Sequence, residues 1–191
     1  MKWCIFDNEN RIFVLNLSSP LTRFLMKAAG IYALWYIVYD YVLLPDGRLD
    51  TFLSFSGVNL AGGLLNLMGW DIYSEARVLA VTGSNGVEIQ NGCNGLELIG
   101  LYMGFIIVYP GGPLQKRIMF LAGGIGLLFI ANVFRIMVFA LSIYYIPVWW
   151  EQVHTYSSYF IFYPIVLTLW YLWTLVTDQD LSLGPVLSGR N

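Results

Sequence analysis

Four stretches of this chain are apolar for long enough to act as bilayer spans, and that limits the fold before any motif is considered. A hydrocarbon core of about 30 Å takes ~17–25 residues of helix. The stretches run over 23–44, 95–110, 118–146 and 159–176, the second being short. Their interiors carry few charges: Lys27 and Asp40 near the ends of the first, and Arg135 in the third. Hydrophobic residues make up 58% of the chain and charged residues 12%, against about 25% charged in ordinary globular domains. Because the apolar blocks are distributed along the chain, a cleaved signal peptide followed by a soluble domain does not fit. The net charge of −2 and the single histidine leave no basic patch for nucleic acid. The expected fold is an all-α polytopic membrane protein, one domain over 1–191, with about four transmembrane helices.

A fifth block, 51–70, is apolar but carries Asn59, Gly62, Gly63 and Asn66 on one helical strip, opposite Leu60, Leu64, Leu67 and Met68. The sidedness of lysine and arginine decides how to place it. With this block in the interface, Lys2, Arg11, Arg23, Lys27, Lys116, Arg117 and Arg190 share one side, and Arg48 and Arg77 the other. With this block spanning, Lys116 and Arg117 cross over and the asymmetry nearly vanishes. Residues 51–70 are therefore expected to be interfacial or re-entrant, and both ends of the chain (1–22 and 177–191) cytoplasmic. The polar tail 177–191 is expected to be poorly ordered.

That arrangement puts 71–94 and the loop 147–158 on the outer side. Residues 77–82 and 87–90, about Gly83-Ser-Asn-Gly86, read as two strands of a small extracytoplasmic β-hairpin. The hairpin leads into Asn91-Gly-Cys-Asn-Gly95, where turn-forming Asn-Gly pairs flank Cys93 just before an apolar helix.

Three chemically capable residues are expected at one depth. Cys93 heads a short span and so lies at the outer boundary. Arg135 follows Lys116 by about nineteen residues, roughly 28 Å of helix, and reaches the same level. His154 precedes the last span among Tyr144, Tyr145, Trp149, Trp150, Tyr156 and Tyr159, an interfacial aromatic belt.

Each has a functional and a bland reading. Cys93 at a helix N-terminus suits a nucleophilic thiolate; otherwise it is a small packing residue, or half of a disulfide with Cys4, which the topology puts on the opposite side. Arg135 is costly inside a membrane helix and suits anion or oxyanion binding. Asn132 shares its face and is placed to orient it. The alternative is a snorkelling arginine, or one paired with Asp40 or Glu97. His154 suits a general acid or base; otherwise it is a surface polar residue. Glu97, one turn beyond Cys93, is given a supporting role.

The set Asn91-Gly-Cys-Asn-Gly95, Asn132-Val-Phe-Arg-Ile136 and a later His154 resembles the exosortase/archaeosortase family over about half the chain. The usual Cys-Ser/Ala-Gly of that family is Cys93-Asn-Gly here, and the chain is shorter than the familiar bacterial members. The resemblance implies a membrane-embedded cysteine transpeptidase in the cell (inner) membrane, with its active site extracytoplasmic. Its partners are proteins bearing a C-terminal sorting signal with a transmembrane helix. It implies Cys93 as nucleophile, Arg135 as oxyanion partner and His154 as acid and base. No cofactor or metal is expected, since one histidine and two cysteines on opposite sides form no ligand cluster. A hydrolysing membrane cysteine protease, or a scaffold or transporter with Arg135 as an anion site, are the alternatives.

Overall fold

A computed structural model describes residues 2–6, 12–16 and 19–178, the first two segments and Asp178 as backbone only. The expectation for the tail falls, beyond Asp178, outside the described residues, as does the Cys4 side chain. Strands β1 (Lys2–Phe6) and β2 (Ile12–Asn16) pair antiparallel. Helix α1 (Pro20–Val38) starts cleanly because Ser19 Oγ accepts from Thr22 N at 3.0 Å, with Pro20 in its first turn. It continues through a π turn (Tyr39–Leu43) into the short α2 (Leu44–Asp46). Gly47 at φ +64° then redirects the chain into α3 (Arg48–Leu67).

Strands β3 (Ile72–Glu75), β4 (Val78–Val81) and β5 (Val87–Glu88) form an antiparallel sheet in that order. The expected hairpin is therefore two strands of a three-stranded sheet. Its first strand, Ile72-Tyr-Ser-Glu75, is too short and mixed a run to stand out in the sequence. Next come α4 (Leu96–Val108), α5 (Leu114–Tyr145), a 3₁₀ turn (Pro147–Trp149), α6 (Trp150–Ser157), a π turn (Ser158–Phe162) and α7 (Tyr163–Asp178).

Among the described residues, three helical runs are long and apolar enough to cross a membrane: Pro20–Asp46, Leu114–Tyr145 and Pro147–Thr177. The apolar α4 runs beside them and, at about 20 Å for its 13 residues, is the shortest of the four. The protein is all-α and polytopic. Two expected boundaries differ. Helix α5 begins at Leu114, because Pro113 supplies its start and nothing in Leu114–Arg117 breaks a helix. The expected loop 147–158 is mostly helical, so His154 stands on α6. No glycine or proline follows Pro147 there, and Trp150 packs edge-on against Phe139 of α5 at 5.2 Å.

The core has two parts, joined by α5. One lies between α4, α5 and α7, around Tyr102, Ile106, Leu128, Phe162 and Trp173, all at most 1% exposed. The other lies between α3, the sheet and α5, around Val58, Leu65, Leu79, Ile136 and Phe139, again at most 1% exposed. Helix α3 presents its small residues to this second part. A Cβ on Gly57 would lie 2.9 Å from the Ile136 side chain, and one on Gly62 would lie 3.1 Å from Leu79. Leu60, Leu64, Leu67 and Met68 face outward. Close approach of backbones, rather than bulk, fixes α3 in place. Arg135 falls where the two parts meet.

Candidate active site

The Cys93 turn is held from several directions. Arg77, at the start of β4, donates from Nε to the Ile89 carbonyl at 2.7 Å and from Nη2 to Ser54 Oγ on α3 at 2.9 Å. Cys93 N donates to the Gln90 carbonyl at 3.0 Å, and Gly92 and Gly95 stand at φ +82° and +84°. Those left-handed positions are why glycine brackets the cysteine. Asn94 is 1% exposed; its Oδ1 accepts from Leu96 N at 3.0 Å, which satisfies a free amide at the start of α4. Its carbonyl accepts from Asn132 Nδ2 at 3.1 Å. Asn132 thus steadies the cysteine turn, whereas the sequence suggested that it orients Arg135.

Cys93 is a partly exposed free thiol, and its Sγ lies 3.6 Å from His154 Nε2. The imidazole sits against the rings of Phe139 and Trp150, at 5.4 and 5.5 Å. These two rings restrict the imidazole to a position facing the sulfur. Arg135 is 5% exposed. It donates from Nε to Ser157 Oγ at 2.9 Å and from Nη1 to the Cys93 carbonyl at 3.5 Å. Its guanidinium lies over Phe139 and Phe162, at 4.7 and 5.4 Å. Ser157 in turn donates to the His154 carbonyl at 2.8 Å, so one hydroxyl links the arginine to the histidine helix.

Neither Asp40 nor Glu97 forms an ion pair with Arg135 among the described residues. Glu97 is exposed on the first turn of α4. It lines a cavity of about 150 Å³ with Gly92, Gly95, Leu98, Arg135, Ser158 and Tyr163. A larger groove of about 380 Å³, walled by Tyr32, Trp35 and Tyr39 of the first helical run, shares Glu97, Leu98 and Tyr163 with it. The arginine therefore lines the smaller of two neighbouring spaces that share a wall.

The structure brings Cys93, Arg135, His154 and Asn132 into one cluster and leaves Glu97 at its edge. The sequence reading missed Asp50 and Ser157. Asp50 lies 43 positions before Cys93 and Ser157 22 after Arg135, separations with no local pattern to reveal them. The signal for Asn94 was present in the Asn-Gly pair ahead of an apolar helix.

A thiol, an imidazole and a buried guanidinium at one point are three of the parts needed for acyl transfer. The model of the transmembrane exosortase family matches residues 12–175, which include the whole cluster. The chain belongs to the transmembrane exosortase family. As an exosortase-family protein it is a membrane protein involved in sorting-signal processing. It is 25% identical over 167 residues to a probable archaeosortase D of Methanocaldococcus jannaschii, covering 87% of this chain and 90% of that relative. No solved structure matches this exosortase-family chain.

Proposed function

We propose that this protein is a membrane-embedded cysteine transpeptidase that cleaves the C-terminal sorting signal of membrane-anchored exported proteins. The observation that carries the reading is the 3.6 Å approach of Cys93 Sγ to His154 Nε2, with Arg135 bonded to the carbonyl of that same cysteine. A substrate anchored by its own C-terminal helix presents a peptide bond at the level of Cys93, and the anchor restricts its diffusion and orientation.

The sulfur attacks the carbonyl carbon, giving its thiol proton to His154. The C–S bond forms and the carbonyl electrons move to oxygen. Nη2 of Arg135, which makes no hydrogen bond among the described residues, receives that oxyanion in this reading. Collapse of the intermediate breaks the C–N bond, and His154 protonates the departing amine. A thioester remains on Cys93. An incoming amine then loses a proton to His154, attacks the thioester carbon and releases the thiolate. Water in place of the amine makes the same site a hydrolytic protease, and mass spectrometry of the new C-terminus separates the two. We place the site on the extracytoplasmic side of the cell membrane, from the lysine and arginine asymmetry.

Cys93→Ala is expected to abolish processing of a co-expressed substrate bearing a sorting signal while leaving membrane insertion unchanged. Normal processing by this variant rules out the nucleophile.

A further inference from the structure

Asp50 is fully buried in the first turn of α3, yet it belongs to no reacting group described above. Its Oδ1 accepts from Asn94 Nδ2 at 2.6 Å, and its backbone carbonyl accepts from the same nitrogen at 3.3 Å. Tyr39 Oη approaches Oδ1 at 3.5 Å. The other oxygen, Oδ2, is buried without a hydrogen-bond partner among the described residues. A carboxylate left with one unpartnered oxygen lowers stability, so packing does not account for it.

Its effect on Asn94 does. An amide side chain in this position has two orientations. Only the observed one turns Nδ2 toward the carboxylate and leaves Oδ1 for Leu96 N. The flipped amide would set its oxygen against Asp50 and its NH₂ against the amide of Leu96. The 2.6 Å bond to Asp50 therefore locks Asn94, and with it the peptide that joins Asn94 to Cys93. The same asparagine holds Asn132 of α5 through its carbonyl. Asn94 thus ties α3, α4 and α5 together at the residue next to the thiol.

We propose that Asp50 is a positioning residue for the nucleophile, acting through Asn94 to keep Cys93 Sγ facing His154. This deepens the transpeptidase reading and rests on it. The placement on a regular helix fits the role, since a site held from helices keeps tighter geometry than one held from loops.

The test is alkylation of Cys93 by N-ethylmaleimide in membranes holding the full chain, followed at the Cys93 peptide by mass spectrometry. In the otherwise unchanged chain, His154→Ala is expected to slow alkylation about tenfold, because the imidazole 3.6 Å from the sulfur takes the proton as the sulfur attacks. In the Asp50→Leu chain the same His154→Ala change is expected to alter the rate by less than about twofold. Asp50→Asn keeps a side-chain oxygen that accepts from Asn94 Nδ2 and leaves the bond to the backbone carbonyl untouched, and is expected to retain most of the dependence on His154. A histidine effect that persists undiminished in Asp50→Leu overturns the positioning role while leaving the transpeptidase reading intact. Loss of the histidine effect in Asp50→Asn as complete as in Asp50→Leu overturns the role as well. No histidine effect in the otherwise unchanged chain overturns both.

Discussion

Arg135 has two of its three guanidinium nitrogens engaged, one by Ser157 and one by the Cys93 carbonyl, and the third makes no hydrogen bond among the described residues. That division of labour suits a planar fork and not an ammonium. Arg135→Lys keeps the charge but loses the bond from Nε to Ser157. It is expected to lower the rate of sorting-signal processing by about 10²-fold or more, the scale for a lost oxyanion donor. Ser157→Ala leaves the guanidinium in place with one tether fewer, and the expected loss is smaller, about tenfold. Both are read from initial rates on one co-expressed substrate; an Arg135→Lys enzyme at the unaltered rate removes arginine from the chemistry. At this scale the reactive types were legible in the sequence, because a cysteine in a glycine-bracketed turn and an arginine in a membrane helix are both costly choices. Their partners were not. Ser157 is one serine among several, and only the fold shows which one accepts from Nε.

The elements are held as much by what is missing as by what is packed. The Tyr102 ring occupies the space beside Gly124 of α5, where any Cβ would overlap it, and its hydroxyl donates to the Phe120 carbonyl at 2.6 Å. Trp35 of α1 covers Gly100 of α4 in the same way. Gly124→Leu is therefore expected to destabilise the protein by at least the ~1–3 kcal/mol typical of overpacked cores. Gly123→Leu is the control: a Cβ there meets nothing within 4 Å, and its thermal unfolding in detergent is expected to match the parent. Equal melting temperatures for the two variants contradict this packing. Helix existence was readable from long apolar runs. The helical state of α6 was not, because the aromatic residues that mark an interface in sequence serve here to dock Trp150 and His154 on Phe139.

Across the whole molecule, α5 carries the design. Its 32 residues are longer than a bilayer core requires, and Arg135 falls about 30 Å from its start, where the membrane helices give way to α3 and the sheet. Helix α3 is 20 residues long but is not among the runs apolar enough to cross. We propose, from the lysine and arginine asymmetry, that it lies outside the hydrocarbon core on the same side as Cys93. The expected outcome is that Asn59→Cys, on the exposed face of α3, and native Cys93 both react with a membrane-impermeant maleimide added to intact cells. Labelling of either residue only after the membrane is permeabilised contradicts this placement.

Hydropathy alone settled that the chain is a bundle of membrane helices, since ~20 apolar residues have few other stable solutions. Motif and depth together singled out Cys93, Arg135 and His154. The tertiary structure decided which groups touch. Hydrogen-bond partners such as Asp50, Asn94 and Ser157 are chosen by the way α3, α5 and α6 converge. That convergence rests on Gly57 of α3 against Ile136 and on Trp150 and His154 against Phe139, contacts between distant segments that no local pattern pairs.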